Sequence, residues 1–179
     1  MAEDKLARLR RLNEHLNPPE QLGGVFLPKG SKERFDFMFV AEMPAMKAHE
    51  DIQSERNFNF SVTARDRFLQ DMIAKYGAAG SYVTDIVKSR AEPGLPARGE
   101  IIRWLPHLLE EIRIIEPKAI VVLGRRTFEK SFKPHVQSHV PRDIKVCWVF
   151  HYSSQVSRQK FEVKFSEVMG CLRKLQEPS

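Results

Sequence analysis

Four short apolar runs in the chain lead into polar side chains that could transfer protons or bind anions. Glu42 follows the first run, Asp85 lies near the end of the second, and His151 comes directly after the fourth. Carboxylate and imidazole groups are common proton donors and acceptors in enzymes. Arg125 and Arg126 follow the third run, where their guanidinium groups could contact phosphate. These residues form the candidate site.

Hydrophobic patterning predicts the strands and helices that must position these residues. A short run of near-continuous apolar character predicts a buried strand in a sheet that is covered on both faces. The runs that fit are Phe35–Val40, Ser81–Val87, Ala119–Leu123 and Lys145–Phe150. Helical spacing of apolar residues predicts helices over Glu3–Leu16, Ser61–Tyr76, Ile101–Ile112 and Phe161–Leu175. Strands that alternate with helices predict an α/β fold with a mainly parallel sheet.

The carboxyl ends of parallel strands meet at one edge of a sheet, where ligands bind in open α/β folds. This rule brings four strand ends to one crevice, at residues 41–45, 85–90, 124–126 and 151–154. Pro44 rigidifies a turn, and the small residues Ala41 and Ala45 let a ligand approach the backbone closely. The sequence therefore predicts one site built from four separate parts of the chain.

Composition limits the class of protein. With 179 residues, 42% of them hydrophobic, the chain is expected to form a single packed domain over 1–179. Its expected parts are an N-terminal helix over 1–17, a loop over 18–34, a core over 35–154 and a C-terminal helix over 155–179. The charged N-terminus and the lack of a long apolar segment predict neither a signal peptide nor a membrane span, and hence a cytoplasmic protein without a membrane partner. The net charge of +6 indicates an anionic partner, with nucleic acid favoured.

Cysteine and histidine usage argues against a metal or a cofactor. The two cysteines, Cys147 and Cys171, exclude a disulfide scaffold and any four-cysteine zinc or iron–sulfur site formed by this chain alone. His135 and His139 are spaced like two zinc ligands, with Cys147 as a third candidate, but no fourth ligand is evident. We therefore predict no metal and no cofactor.

Taken in order and spacing, the strand-end motifs resemble those of the uracil-DNA glycosylase superfamily. The segments VAEMPA (40–45), TDIVKSR (84–90), PKAIVVLG (117–124) and HYSS (151–154) are similar to the GEAPG, TNVVKCR, PK-IV-LG and HPS motifs of its iron–sulfur branch. The resemblance implies a three-layer α/β/α sandwich on a four-stranded, mainly parallel sheet. It also implies a monofunctional DNA glycosylase, which hydrolyses the N-glycosidic bond of a damaged base flipped out of DNA. With two cysteines, this chain would be a relative without the cluster.

The resemblance implies a role for each matching residue. Glu42 would orient or activate water at the sugar, and His151 would contact a base oxygen. Asp85 stands where the branch has the asparagine that reads the base edge, and Phe60 would stack on the flipped base. The loop residues are Ala41, Pro44 and Ala45, and the predicted phosphate or DNA contacts are Lys88, Arg90, Arg125, Arg126, Ser153 and Ser154. Tyr152 replaces the usual proline, and alanines replace two glycines of the first motif.

The aspartate at position 85 bears on the substrate. An ionised aspartate only accepts hydrogen bonds, whereas asparagine also donates them, so Asp85 suits a base edge that offers donors. We hypothesise that uracil is not the best substrate and that a deaminated purine, hypoxanthine or xanthine, fits better. Two other functions remain open: a catalytically inactive nucleic-acid- or nucleobase-binding member of the fold, and a hydrolase or transferase of free nucleosides. The chain is expected to act as a monomer on single- or double-stranded DNA.

Overall fold

The strands within the described residues form one sheet, with candidate residues at its carboxyl edge. A computed structural model describes residues 4–14, 24–25, 35–44, 64–89 and 94–174. Five strands lie within these residues: β1 (Gly24–Val25), β2 (Phe37–Ala41), β3 (Tyr82–Asp85), β4 (Ala119–Leu123) and β5 (Lys145–Val149). Their order is β1-β3-β2-β4-β5. The last four pair in parallel, and β1 pairs antiparallel with β3. The predicted four-stranded parallel sheet is confirmed, and the predicted loop over 18–34 adds a short fifth strand at the edge.

Helices cover both faces of this sheet, as predicted. The main helices are α1 (Lys5–Asn13), α2 (Ala64–Lys75), α3 (Arg98–Ile115) and α6 (Arg158–Lys174). Between β4 and β5 the chain forms α4 (Arg125–Thr127), a π-helical turn (Phe128–Phe132), α5 (Lys133–His135) and a 3₁₀ turn (Gln137–His139). The α2 and α6 helices share one core cluster, whereas α1, α3 and the segment after β4 share the other. None of the described helices has both the length and the apolar character needed to cross a membrane.

The strand and helix ends differ from the predicted ones where local hydrogen bonds override the apolar pattern. The strand β3 ends at Asp85 although Ile86 and Val87 are buried. Their N–H groups donate to the carbonyl oxygens of Ala41 (2.9 Å) and Glu42 (3.1 Å), which holds the ends of β2 and β3 together. The helix α3 runs through Pro106 to Ile115 and is longer than predicted.

Candidate active site

The sheet register brings all four predicted strand ends to one edge. Ala41 is paired with Asp85 across β2 and β3. On the other side, the N–H of Gly124 donates to the carbonyl oxygen of Val149, two residues before His151 (2.8 Å). Gly124 has a φ of +112°, and a Cβ at this position would lie 2.9 Å from Thr127 Oγ1 and 3.4 Å from the Cβ of His151. The tight packing at Gly124 therefore fixes the approach of His151 to the end of β4.

Glu42 is held by a hydroxyl group from the other side of the edge. The Oγ of Ser131 donates to Glu42 Oε1 at 2.8 Å, and the Ser131 side chain is itself buried. Ser131 lies in the π-helical turn Phe128–Phe132, a rare local geometry that is frequent at functional sites. A hydroxyl donor stabilises the ionised carboxylate and limits its rotation. Glu42 is therefore a half-buried, oriented carboxylate.

His151 is a neutral imidazole whose tautomer follows from its hydrogen bonds. The backbone N–H of Ser153 donates to His151 Nδ1 at 3.2 Å, and the Oγ of Ser153 lies 2.7 Å from the same nitrogen. Because a backbone N–H can only donate, Nδ1 is unprotonated and the ring proton resides on Nε2. Burial lowers the pKa of His151 to about 4, an effect that the Asp66 carboxylate opposes and Arg65 reinforces. At neutral pH the ring presents one N–H donor, on Nε2.

Tyr152 and Asp66 support the His151 ring. The rings of Tyr152 and His151 stack, with their centroids 4.6 Å apart and 20° between their planes. Burial raises the pKa of Tyr152 well above its usual range, and the Asp66 and Asp85 carboxylates act in the same direction. Its hydroxyl also bonds to the carboxylate of Asp66, which is buried in the first turn of α2. Tyr152, where the family motif has proline, thus ties the His151 loop to α2.

Sequence reasoning missed Asp66, although a signal was present. The buried residues of α2 are Asp66, Leu69, Met72 and Ile73, so the aspartate lies on the apolar face of its helix. An acidic residue in the first turn of a helix normally interacts favourably with the helix dipole. Because this role is common, a buried carboxylate at the same position is easily overlooked. A carboxylate on the core-facing stripe could have been recognised as a group that needs a buried partner.

Asp85 lies at the centre of this edge and is almost fully buried, with 3% of its surface exposed. Its backbone carbonyl oxygen accepts a hydrogen bond from Lys88 Nζ at 2.7 Å. Its charge contributes to the raised pKa of Tyr152, which places the carboxylate within electrostatic reach of that ring. The structure therefore brings Asp85 and Tyr152 into one neighbourhood, beside Asp66 and the stacked ring of His151.

The prediction that Lys88 contacts phosphate is wrong. The side chains of Lys88 and Glu111 are both fully buried, with Lys88 Nζ 2.6 Å from Glu111 Oε2. Tyr82 and Thr84 donate to Glu111 Oε1 at 2.7 Å and 3.0 Å, and Lys88 also donates to the Thr84 hydroxyl. A charge removed from water needs such partners. Lys88 therefore connects β3 to α3 on the face of the sheet opposite α2.

The other predicted DNA contacts have varied environments. Arg125 and Arg126 are exposed, and Arg125 Nε pairs with Glu129 Oε1 at 2.8 Å. Ser153 bonds to His151, and the exposed Ser154 donates its N–H to the His151 carbonyl oxygen (2.9 Å). The loop residues Ala41 and Pro44 are buried. The predicted site residues Phe60, Ala45 and Arg90 lie outside the described residues.

Among the described residues, the histidine pair that is spaced like zinc ligands has no further ligand grouped with it. His135 and His139 fall in the short α5 and 3₁₀ turns, and Cys147 lies on β5. Burial raises the pKa of the Cys147 thiol to about 12, which disfavours the thiolate that binds metal. Across the described ranges, no three His, Cys, Asp or Glu side chains are grouped to hold a metal ion.

The fold and the site together define an α/β/α protein with an oriented carboxylate and a neutral imidazole donor at the carboxyl edge of a parallel sheet. A family model described as the uracil DNA glycosylase superfamily matches residues 28–176, and the chain belongs to this superfamily. Its members are generally hydrolytic glycosylases that act on DNA. No curated protein matches the chain in a sequence comparison.

Proposed function

We propose that the chain is a monofunctional DNA glycosylase that hydrolyses the N-glycosidic bond of a deaminated or damaged base flipped out of DNA. The observation that carries this proposal is the pair of oriented groups at one sheet edge. These are the Nε2–H donor of a neutral His151 and the Glu42 carboxylate held by Ser131. We further propose that the protein acts as a cytoplasmic monomer, on single- or double-stranded DNA.

Each group stabilises one of the two charges that develop in the reaction. When the bond between the base nitrogen and C1′ breaks, the electron pair leaves with the base and the sugar becomes oxocarbenium-like. The His151 Nε2–H donates to a base oxygen as its negative charge grows, and Glu42 stabilises the cationic sugar. Glu42 then takes a proton from the water that attacks C1′. Glu42 then releases this proton to solvent, the base anion takes up a proton from solvent, and the products are the neutral free base and an abasic strand.

A neutral histidine suits this role because it is already in its donating form. Burial holds its pKa near 4, so the ring does not lose or gain a proton between pH 6 and 8. The hydrogen bonds from Ser153 fix which nitrogen donates, so no reorganisation is needed when charge develops. The proposed electrophile is therefore preorganised by its own loop.

The low pKa of His151 also predicts how stability depends on pH. The pKa of His151 falls from 6.5 to about 4 on folding. Between these two pH values the unfolded chain therefore carries a proton on His151 that the folded chain does not carry. The contribution to stability is complete above pH 6.5 and is lost as the pH falls toward 4. In urea unfolding at pH 7 and pH 4.5, the wild type is expected to lose more free energy of unfolding than His151→Gln. Equal losses in both proteins would contradict the assigned neutral state.

The presence of Asp85 favours a substrate base whose edge carries hydrogen-bond donors. We expect the wild type to prefer hypoxanthine or xanthine over uracil, because an aspartate oxygen repels the uracil O4 that an asparagine NH₂ would bind. Asp85→Asn is then expected to shift the ratio of excision rates toward uracil by about 10-fold or more, the size of one unfavourable buried contact replaced by a hydrogen bond. Single-turnover rates on matched oligonucleotides measure the ratio. A clear uracil preference in the wild type would overturn the substrate assignment.

A non-catalytic nucleobase-binding protein is the second candidate, favoured by the same buried aspartate in place of the family's asparagine. One assay separates the two functions. Single- and double-stranded oligonucleotides carrying uracil, hypoxanthine or xanthine are incubated with excess protein and then treated with alkali, which cleaves abasic sites. The glycosylase proposal requires cleavage of at least one substrate. Binding without cleavage of any substrate supports the second candidate instead.

A further inference from the structure

Two aromatic rings and three cations form a distinct surface at the β5 edge of the sheet. We call this surface the edge strip: Arg125, Trp148, Phe150, Lys160 and Lys164. The β5 strand ends the strand order, so its outer side has no strand neighbour within the described part of the sheet. Trp148 and Phe150 are both half-buried and meet edge to face, with ring centroids 5.7 Å apart.

The cations of the edge strip are held over these rings. Lys164 Nζ lies 4.8 Å from the Trp148 ring centroid, and the Arg125 guanidinium carbon lies 5.9 Å from it. Lys160 Nζ lies 5.8 Å from the Phe150 centroid. Lys160 and Lys164 come from α6 on one face of the sheet, whereas Arg125 comes from α4 on the other. The positive charges of both helical layers therefore converge at one edge.

The charge of this surface points to an anionic partner. Arg125 bonds to the carboxylate of Glu129; both side chains are exposed, and exposed pairs contribute little. Cations over aromatic rings lose less freedom when they bind phosphate, because the rings already restrict them. The half-buried rings also leave part of their surface for contact with a planar group.

The edge strip is continuous with the candidate active site. Phe150 directly precedes His151, whose neighbour Tyr152 stacks on its ring. A nucleic acid with one base at His151 would therefore have its adjacent phosphates within reach of the start of the strip. This step rests on the proposed function, because the target base sets where the strand begins.

We propose that the edge strip binds the single-stranded DNA that flanks the target nucleotide. Phosphates contact Arg125, Lys160 and Lys164, and a base stacks against the exposed parts of Trp148 and Phe150. A single strand fits better than a duplex because its bases are free to stack on protein rings, whereas duplex bases stack on one another. The strip gives the protein a preference for lesions in unpaired DNA.

Affinity for an undamaged oligothymidylate measures the phosphate contacts without requiring catalysis. The triple variant Arg125→Ala, Lys160→Ala and Lys164→Ala is expected to bind a labelled oligothymidylate at least about 10-fold more weakly at moderate salt. Its slope of log affinity against log salt should be shallower by about 2, since each single-strand phosphate contact contributes roughly 0.7. The matched control is Arg10→Ala, Arg113→Ala and Lys118→Ala, which removes the same charge elsewhere. Equal losses of affinity in the two triple variants would overturn the proposal.

Trp148 fluorescence tests the stacking contact separately. The chain has two tryptophans, and Trp104 is buried on α3, so Trp104→Phe leaves Trp148 as the sole indole emitter. Oligothymidylate is expected to quench this emission, while a duplex of equal length quenches it less. Unchanged emission at saturating single strand would overturn the stacking assignment. Because neither DNA carries a lesion, failure of the edge strip is distinguishable from failure of the glycosylase proposal, which the excision assay alone decides.

Discussion

His151→Ala and Glu42→Gln are each expected to lower the single-turnover excision rate by about 100-fold or more, the usual contribution of one electrostatic or acid–base group. Each variant removes one of the two preorganised groups: the Nε2–H donor for the leaving base, or the carboxylate for the sugar and water. Both side chains are only partly buried, and Glu42→Gln preserves volume and accepts the Ser131 hydrogen bond. Thermal unfolding of Glu42→Gln should therefore change little; the same measurement on His151→Ala shows whether losing the ring that stacks on Tyr152 also affects stability.

A matched control separates loss of chemistry from loss of charge. Glu129→Gln removes an exposed carboxylate whose partner is Arg125, and its excision rate at saturating DNA should stay near the wild-type value. Ser131→Ala keeps the Glu42 carboxylate but removes its orienting donor, so its rate should fall between those of the wild type and Glu42→Gln. If neither His151→Ala nor Glu42→Gln slows excision, the active site lies elsewhere in the chain.

Lys88→Met is expected to destabilise the fold by about 3–5 kcal/mol, the cost of leaving one charge of a buried pair without its partner. The variant leaves the carboxylate of Glu111 fully buried, with hydrogen bonds from the hydroxyl groups of Tyr82 and Thr84 and with His107 Nε2 3.9 Å from its Oε1. Urea unfolding at pH 7 measures the loss as a lower midpoint. The substitution weakens the connection between β3 and α3, because Lys88 pairs with Glu111 on α3 and donates to the carbonyl oxygen of Asp85 on β3.

The double variant Lys88→Met with Glu111→Leu provides the control. It removes both charges together, and apolar replacements of a buried pair are often close to neutral in stability. The double variant should therefore recover a large part of the free energy of unfolding lost by Lys88→Met. A loss below about 1 kcal/mol for Lys88→Met, a value typical of exposed pairs, would contradict the buried location of this lysine.

The centre of the sheet could be predicted from the sequence because β2 and β4 are buried at every position and are therefore apolar along their whole length. The strand Ala119–Leu123 has the predicted bounds, since every residue in it is buried. Apolar character could not locate the end of β3, because Ile86 and Val87 are buried in a turn that hydrogen-bonds to β2. The two-residue strand β1 carries too few residues to show any periodicity.

Among the described candidates, those at strand ends could be predicted because a parallel sheet places all carboxyl ends at one edge. Side-chain environments that are set by residues far away in the sequence could not be predicted. Lys88 follows a strand at a position where phosphate ligands are common, and its partner Glu111 lies on α3, which also carries the partly exposed Glu100 and Glu110. Ser131 lies 89 residues after Glu42 and donates a hydrogen bond to its carboxylate. It does so from a π-helical turn that no residue pattern predicts. Side-chain partners of this kind depend on tertiary packing.

The most direct test of the central claim is the release of free base from lesion-bearing DNA, measured by mass spectrometry. The wild type is incubated in excess with single strands carrying hypoxanthine, xanthine or uracil, beside His151→Ala at the same concentration. The proposed mechanism predicts free base and an abasic strand in equal amounts from the wild type, with hypoxanthine or xanthine released faster than uracil. It also predicts release at least about 100-fold slower from His151→Ala. No free base from any strand with the wild type would contradict the mechanism.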